Sequence, residues 1–298
     1  MIKIIRFLKF VKRIREKKDF SHIVNYDITS QCNLNCEHCY WRKTQISREE
    51  LSDEEWEKTF LDHKKRGATA AYLTGGEPAL RLNVVVTANR IFNEIRIISN
   101  GTIKIPEFIQ RRIFISIDGP REIHNKIRGV DVFDKILENI QGDKRVILTP
   151  TLSTTNHKCI EELIDITKKC NVEGITFSTY TSHWGEADPL LLEGEKLAWT
   201  VNKLREVWKK DRKIVLLTPR IINLFKTKEH YKSCFFRGKN YISFDAKMNI
   251  KKPCTLGRGV NCKTCGCIVP IISYAAGRID IKSWFLLDRF FPEKYCAW

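Results

Sequence analysis

Three thiols fall within eight residues at Cys32-Asn33-Leu34-Asn35-Cys36-Glu37-His38-Cys39, with three and then two residues between them. That spacing lets one short loop wrap three thiolates around a single metal centre. A structural zinc normally takes four ligands, and the loop offers no fourth Cys or His except His38, squeezed between two of the cysteines. Three thiolates on a four-iron cluster would leave one iron open to a small molecule, whereas a zinc loop borrowing a distant ligand is the competing reading. A second group comprises Cys254, Cys262, Cys265 and Cys267, with Cys234 upstream and Cys296 near the end. Three thiols between Cys262 and Cys267 are spaced as ligands rather than as core residues, and both an iron–sulfur cluster and a zinc knuckle remain open for them. Cys159 and Cys170 lie in a helical pattern without ligand spacing and read as core thiols.

The elements that must position these groups begin near residue 23. Apolar, β-branched runs at 23–29, 68–74, 95–99, 112–117, 145–151 and 174–180 alternate with helical patterns. Ser52 with Glu55 three residues on forms a capping box ahead of Trp56, Phe60 and Leu61. Six strands separated by helices predict parallel βα units, an α/β sheet or partial barrel covered on both faces. In such folds ligands collect at the carboxyl ends of strands. The first cysteine loop follows the first strand. Gly75-Gly76-Glu77-Pro78 follows the second, Ser99-Asn100-Gly101-Thr102 ends the third, and Ser116-Ile117-Asp118-Gly119-Pro120 ends the fourth. Taken singly, each of these is also an ordinary strand-to-turn transition. After a helical stretch at about 193–210 the alternation stops, and residues 234–267 hold five cysteines among short pieces such as Asn240 to Phe244. The expected division is a basic amphipathic helix over 1–22, a barrel over 23–215 and a small cysteine-rich domain over 216–298.

A chain of 298 residues with 43% hydrophobic content supplies a buried core, and its eleven cysteines do not suit a disulfide framework in a protein of this size. The longest apolar stretch, Cys267 to Ala276, is too short to cross a bilayer. The N-terminus is interrupted by Lys3, Arg6 and Lys9 and has no cleavage-site pattern, so an intracellular location is expected, with peripheral contact at the inner membrane face an option. Fifty-two basic against 35 acidic residues give a net charge of +17, which implies an acidic partner: nucleic acid, anionic lipid or acidic peptide. The basic helix at 1–19, with Ile4, Phe7, Leu8, Val11 and Ile14 on one face, would either lie on an anionic membrane or dock on the protein's own core.

The cysteine loop together with Gly75-Gly76-Glu77-Pro78 resembles the radical S-adenosylmethionine (SAM) superfamily, over about residues 23–210. The resemblance implies a partial (β/α)6 barrel and a [4Fe-4S] cluster on Cys32, Cys36 and Cys39. The open iron would chelate the methionine part of SAM and supply the electron that yields a 5′-deoxyadenosyl radical. It further implies cofactor contacts from Gly75, Gly76, Glu77, Asn100 and Ser116, and from Arg128 in the stretch His124-Asn125-Lys126-Ile127-Arg128-Gly129. Where the family often has an aromatic residue before the last loop cysteine, this chain has His38, which can still stack on adenine. The tail with Cys234, Cys254, Cys262, Cys265 and Cys267 resembles SPASM or twitch domains that hold an auxiliary iron–sulfur cluster, and is also similar to the tail of lipid-acting enzymes that attach adenosyl to hopanoids. A peptide or protein, a lipid and a modified RNA stand open as substrates. An electron donor such as ferredoxin or flavodoxin is implied. A non-catalytic iron–sulfur or zinc protein is the reading from another class. Tyr180 and His183, near the end of the sixth strand, are candidate acid–base groups by location alone.

Overall fold

A computed structural model of the chain describes residues 20–44, 49–184, 188–278, 280–290 and 292. The basic helix expected at 1–19, Phe291 and Cys296 lie outside the described residues. Seven strands form one parallel sheet: β1 (Ile23–Asp27), β2 (Ala70–Thr74), β3 (Glu94–Ser99), β4 (Arg112–Ile115), β5 (Val146–Leu148), β7 (Gly174–Ile175) and β9 (Tyr241–Phe244). Their order is β7-β5-β4-β3-β2-β1-β9, and β6 (Thr151–Leu152) pairs in parallel with β8 (Ser178–Thr179) as a separate ribbon. This is the expected α/β partial barrel.

Strand alternation sorts the side chains. Val24, Tyr26 and Ile28 of the β1 region join Trp56 and Phe60 of helix α2 (Asp53–Arg66) in the core between sheet and helices. Asn25 and Asp27 point the other way, where Asn25 donates to Thr74 and Ser243 and Thr74 donates to Asp27. The barrel interior is therefore partly polar. The capping box of α2 forms as expected, with Ser52 Oγ accepting from the Glu55 amide at 3.2 Å and Glu55 Oε2 accepting from the Ser52 amide at 2.7 Å.

Two expected strands are each broken in two. The run at 145–151 becomes β5 and β6, separated by Thr149 and Pro150, and the run at 174–180 becomes β7 and β8. Pro150 has no N–H to give to a neighbour, although its carbonyl still accepts from Ser178 at 3.0 Å.

The cysteine-rich tail, expected as a separately stapled unit, shares sheet and core with the barrel. β9 pairs in parallel with β1, from Ile23 beside Tyr241 to Tyr26 beside Phe244. Helix α9 (Ile268–Gly277) buries Ile271, Ile272 and Ala275 in the main core, and Phe290 of α10 (Ile281–Phe290) stacks on Phe114 at 6.1 Å. Between β9 and α9, Gly266 lies against β8, its carbonyl accepting from the Thr179 amide at 3.0 Å. A Cβ at Gly266 would sit 1.8 Å from Thr179 Oγ1, so only glycine allows this approach. No helix among the described residues is long and apolar enough to cross a membrane.

Candidate cluster sites

The loop carrying Cys32, Cys36 and Cys39 crosses the carboxyl ends of the strands and is held from three directions. From β2, the amides of Gly76 and Glu77 donate to the carbonyls of Thr29 and Gln31 at 2.9 and 2.8 Å. From β3, Asn100 Nδ2 donates to Asn33 Oδ1 at 2.9 Å, and Asn33 Nδ2 donates to Thr102 at 2.8 Å. From α4 (Arg121–Arg128), the carbonyls of Ile127 and Arg128 accept from Glu37 and Asn35. The loop itself requires the glycine pair: a Cβ at Gly75 would meet Thr29 O at 2.4 Å, and one at Gly76 would meet Gln31 O at 1.9 Å. Gly75 also has φ +126°, a conformation disfavoured for residues with a Cβ. Their smallness brings two backbones together.

Glu77 is fully buried and its carboxylate is engaged by this scaffold. Oε1 accepts from the Ala79 amide at 2.9 Å and Ser99 Oγ at 2.7 Å, and Oε2 accepts from the Asn100 amide at 2.6 Å. Burial pushes its pKa up, and those three donors pull against the rise. Asn100, buried, likewise spends its side chain on Asn33 and Thr102. Both residues reach the cysteine loop as supports.

Asp118, at the end of β4, is the electrostatic centre of the site. Its Oδ1 accepts from the Thr151 amide at 2.9 Å, and its Oδ2 pairs with Arg128 Nη2 at 2.5 Å and with His38 Nε2 at 3.8 Å. Burial opposes the carboxylate charge, but Arg128, His38 and His124 outweigh it and hold the pKa below the usual range. Arg128, itself buried, donates from Nη1 to Cys36 Sγ at 3.5 Å. A solvated loop arginine is thereby excluded, and the guanidinium serves a thiol and a carboxylate at once. Ser116 is half-buried and makes no side-chain hydrogen bond among the described residues. Tyr180 donates its hydroxyl to Asp188 at 2.7 Å, whereas His183 faces the Leu256 carbonyl at 3.3 Å beside a bridge to Val260 and so helps seat the tail on the barrel.

The second group assembles from three segments. Cys234, Cys254, Cys262 and Cys265 line one small cavity walled by Phe236, Leu256, Val260 and Pro270. Cys267, expected among the ligands, does not line it. It stands at the N-cap position of α9, half-buried, close to Cys265, Cys254 and Cys234 and near Tyr40. Burial pushes the Cys254 thiol up to about 12 and that of Cys265 to about 11. Such thiols stay protonated unless a metal deprotonates them on binding. A converging set of four soft donors in an apolar pocket fits an iron–sulfur cluster, as the three-thiol loop fits one with an open position. Among the described residues, no three Cys, His, Asp or Glu side chains are arranged to hold a single ion.

Four side chains at these sites escaped sequence reasoning. Asp118 was visible only as part of a strand-end turn. Tyr40 directly follows the last loop cysteine and lies near Asp27, Cys39 and Cys267. Lys251 ion-pairs with Asp27 inside the barrel, 5.4 Å from the Tyr40 ring. Lys228, after helix α8 (Pro219–Thr227), buries its ammonium against the carbonyls of Thr264 and Cys265 at 3.3 and 3.1 Å. Nothing in the local sequence marks these contacts, which join positions distant along the chain.

The profile described as the Radical SAM superfamily matches residues 26–166. Fe-coproporphyrin III synthase of Methanosarcina barkeri is 29% identical over 176 residues, which cover 54% of this chain and 44% of that protein. The chain spans less than half the length of such curated relatives. A solved structure of anSMEcpe with bound AdoMet aligns with a TM-score of 0.62 at 16% identity, covering 85% of this chain and 80% of that one. Streptococcus suis SuiB bound to precursor peptide SuiA aligns with a TM-score of 0.59 at 13% identity, covering 97% and 68%. At these identities the structural likeness concerns the fold. The segment that matches the Radical SAM superfamily, residues 26–166, contains the cysteine loop and the scaffold that holds it.

Proposed function

We propose that this chain cleaves S-adenosylmethionine reductively and uses the resulting radical to modify a peptide or protein. The observation that carries this reading is the three-thiol loop fixed at the barrel mouth by the ends of β2 and β3 and by helix α4, with Cys32 at the surface. A four-iron cluster on Cys32, Cys36 and Cys39 would bind the methionine part of SAM at its open iron and supply, when reduced, the electron that breaks the S–C5′ bond.

The chain's own residues fix and tune that site. Arg128 donates a hydrogen bond to Cys36 Sγ, and Asp118 holds the guanidinium in place. His38, beside Asp118, is the residue to stack on adenine, and Ser116 has a free hydroxyl for the cofactor. Glu77, Gly75, Gly76 and Asn100 act on the cofactor through the loop they hold. Cys234, Cys254, Cys262 and Cys265 would hold a second, fully ligated cluster, a store for the electron released or needed on the substrate. Lys228 places a positive charge beside it. The electron enters from a small acidic carrier such as ferredoxin or flavodoxin, to which the net charge of +17 is suited.

A peptide substrate is supported by the SPASM-like tail and by a structural neighbour whose structure contains a precursor peptide. The apolar residues of α10 are in part spent on the fold, since Phe290 stacks on Phe114 and Leu286 and Leu287 pack on the core. Anaerobic reconstitution, dithionite reduction and assay for 5′-deoxyadenosine test the reaction. Wild type is expected to form it and Cys32/Cys36/Cys39→Ala to form none, and a fully loaded wild type that forms none overturns the proposal.

A further inference from the structure

A groove of about 490 Å³ opens on the rim of the barrel, between the loop after β6 and the start of helix α7 (Gly194–Lys210). Thr154, Thr155 and His157 form one wall, and Lys196 and Trp199 form the other. Single exposed aromatics are ordinary on protein surfaces. Trp199, however, is 40% exposed within a concavity, with the His157 ring edge-on to it at 5.6 Å.

The polar groups around the indole are selective. His157 Nδ1 lies 3.1 Å from the Thr154 carbonyl, which can only accept, so Nδ1 carries the hydrogen and Nε2 is left as an acceptor. Burial keeps this ring from protonating readily, with Lys158 and Lys196 adding to the effect. Lys158 and Lys196 are exposed and form no ion pair among the described residues, whereas nearby Lys203 is held by Glu206 at 2.8 Å. Glu195 is the one carboxylate lining the groove among the described residues. Two free ammonium groups, an aromatic wall and an acceptor suited to a backbone amide match an extended segment that alternates acidic and apolar side chains. A nucleic-acid backbone would meet too few cations here, and a globular redox carrier would not enter a slot of this size.

The groove also abuts the chemistry. Thr155 Oγ1 donates to Glu37 Oε2 at 3.4 Å, and Glu37 lies between Cys36 and His38. A chain lying in the groove could continue over the cysteine loop into the barrel mouth. We propose that this groove is the recognition site for an acidic, apolar-bearing segment of a peptide substrate, separate from the residue that is modified. The proposal rests on the reading that the substrate is a peptide.

The test is fluorescence anisotropy of the cluster-loaded full chain with a labelled peptide of three Glu-Glu-Phe-Leu repeats. Saturable binding is expected, weakened about tenfold by Trp199→Ala, the loss of about 1.4 kcal/mol of contact. Lys158→Glu combined with Lys196→Glu is expected to abolish it and to create binding of a Lys-Lys-Phe-Leu counterpart, a gain that a misfolded variant cannot show. Absence of saturable binding, or equal binding by wild type and both variants, overturns the proposal. So does displacement of the peptide by oligouridylate with a steep salt dependence through the same lysines, which would assign the groove to nucleic acid. The 5′-deoxyadenosine assay on the same wild-type preparation keeps the two readings apart, because the groove can fail while SAM cleavage persists.

Discussion

The two cysteine groups differ in number, exposure and means of support. Cys32, Cys36 and Cys39 come from one loop, with Cys32 exposed, and the loop is kept in shape by hydrogen bonds from strand ends. Cys234, Cys254, Cys262 and Cys265 come from three segments and enclose an apolar pocket, with Cys254 buried. Three thiols, one of them exposed, suit a centre that must bind something else, and four thiols around one cavity suit one that is ligated completely. The same distinction separates catalytic from structural metal sites in general.

Substitutions should break this contrast from one side at a time. Cys36→Ala is expected to abolish 5′-deoxyadenosine formation while iron at the second site remains, as measured by iron content and EPR. Arg128→Met leaves the buried Asp118 carboxylate without its cation. It should cost about 3–5 kcal/mol in chemical denaturation and impair the first site. Gly76→Ala forces a Cβ onto the Gln31 carbonyl, and a loss of at least about 2 kcal/mol is expected, with iron lost from the first site before the second.

His63 sharpens the comparison differently, because it ties the strand leading into the tail to the barrel. Its ring stacks on Phe244 of β9 at 5.3 Å, and its Nδ1 lies 2.8 Å from the Tyr26 hydroxyl. Burial, reinforced by Arg66, lowers its pKa from 6.5 to about 4. The unfolded chain therefore binds more protons between these values, so this residue's share of stability is complete above about 6.5 and is lost as pH falls toward 4. His63→Gln should flatten that acid limb relative to wild type in denaturation series across the window. Ser116→Ala should have the smallest effect, raising KM for S-adenosylmethionine up to about tenfold, the worth of one hydrogen bond, without lowering Tm.

Much of the first site was legible because its chemistry demands particular residue types at short range. Three closely spaced thiols, a Gly-Gly-Glu-Pro turn and polar strand ends announce themselves in order along the chain. Their division of labour was not legible. That Gly75 and Gly76 serve a backbone approach, that Glu77 spends its carboxylate on Ser99, Ala79 and Asn100, and that Arg128 reaches Cys36 are consequences of tertiary proximity. The same holds for the tail. A four-residue strand carries no label for its partner, so the pairing of β9 with β1 was hidden, and spacing alone could not separate Cys267 from the four thiols around the cavity.

The contrast between an open and a closed site is tested most directly by EPR on two reconstituted variants. Cys254/Cys262/Cys265→Ala retains the first site alone, and Cys32/Cys36/Cys39→Ala retains the second alone. After reduction, addition of S-adenosylmethionine should shift the signal of the former and leave that of the latter unchanged. A shift in the second-site variant, or none in the first-site variant, would contradict the assignment of the open iron to Cys32, Cys36 and Cys39.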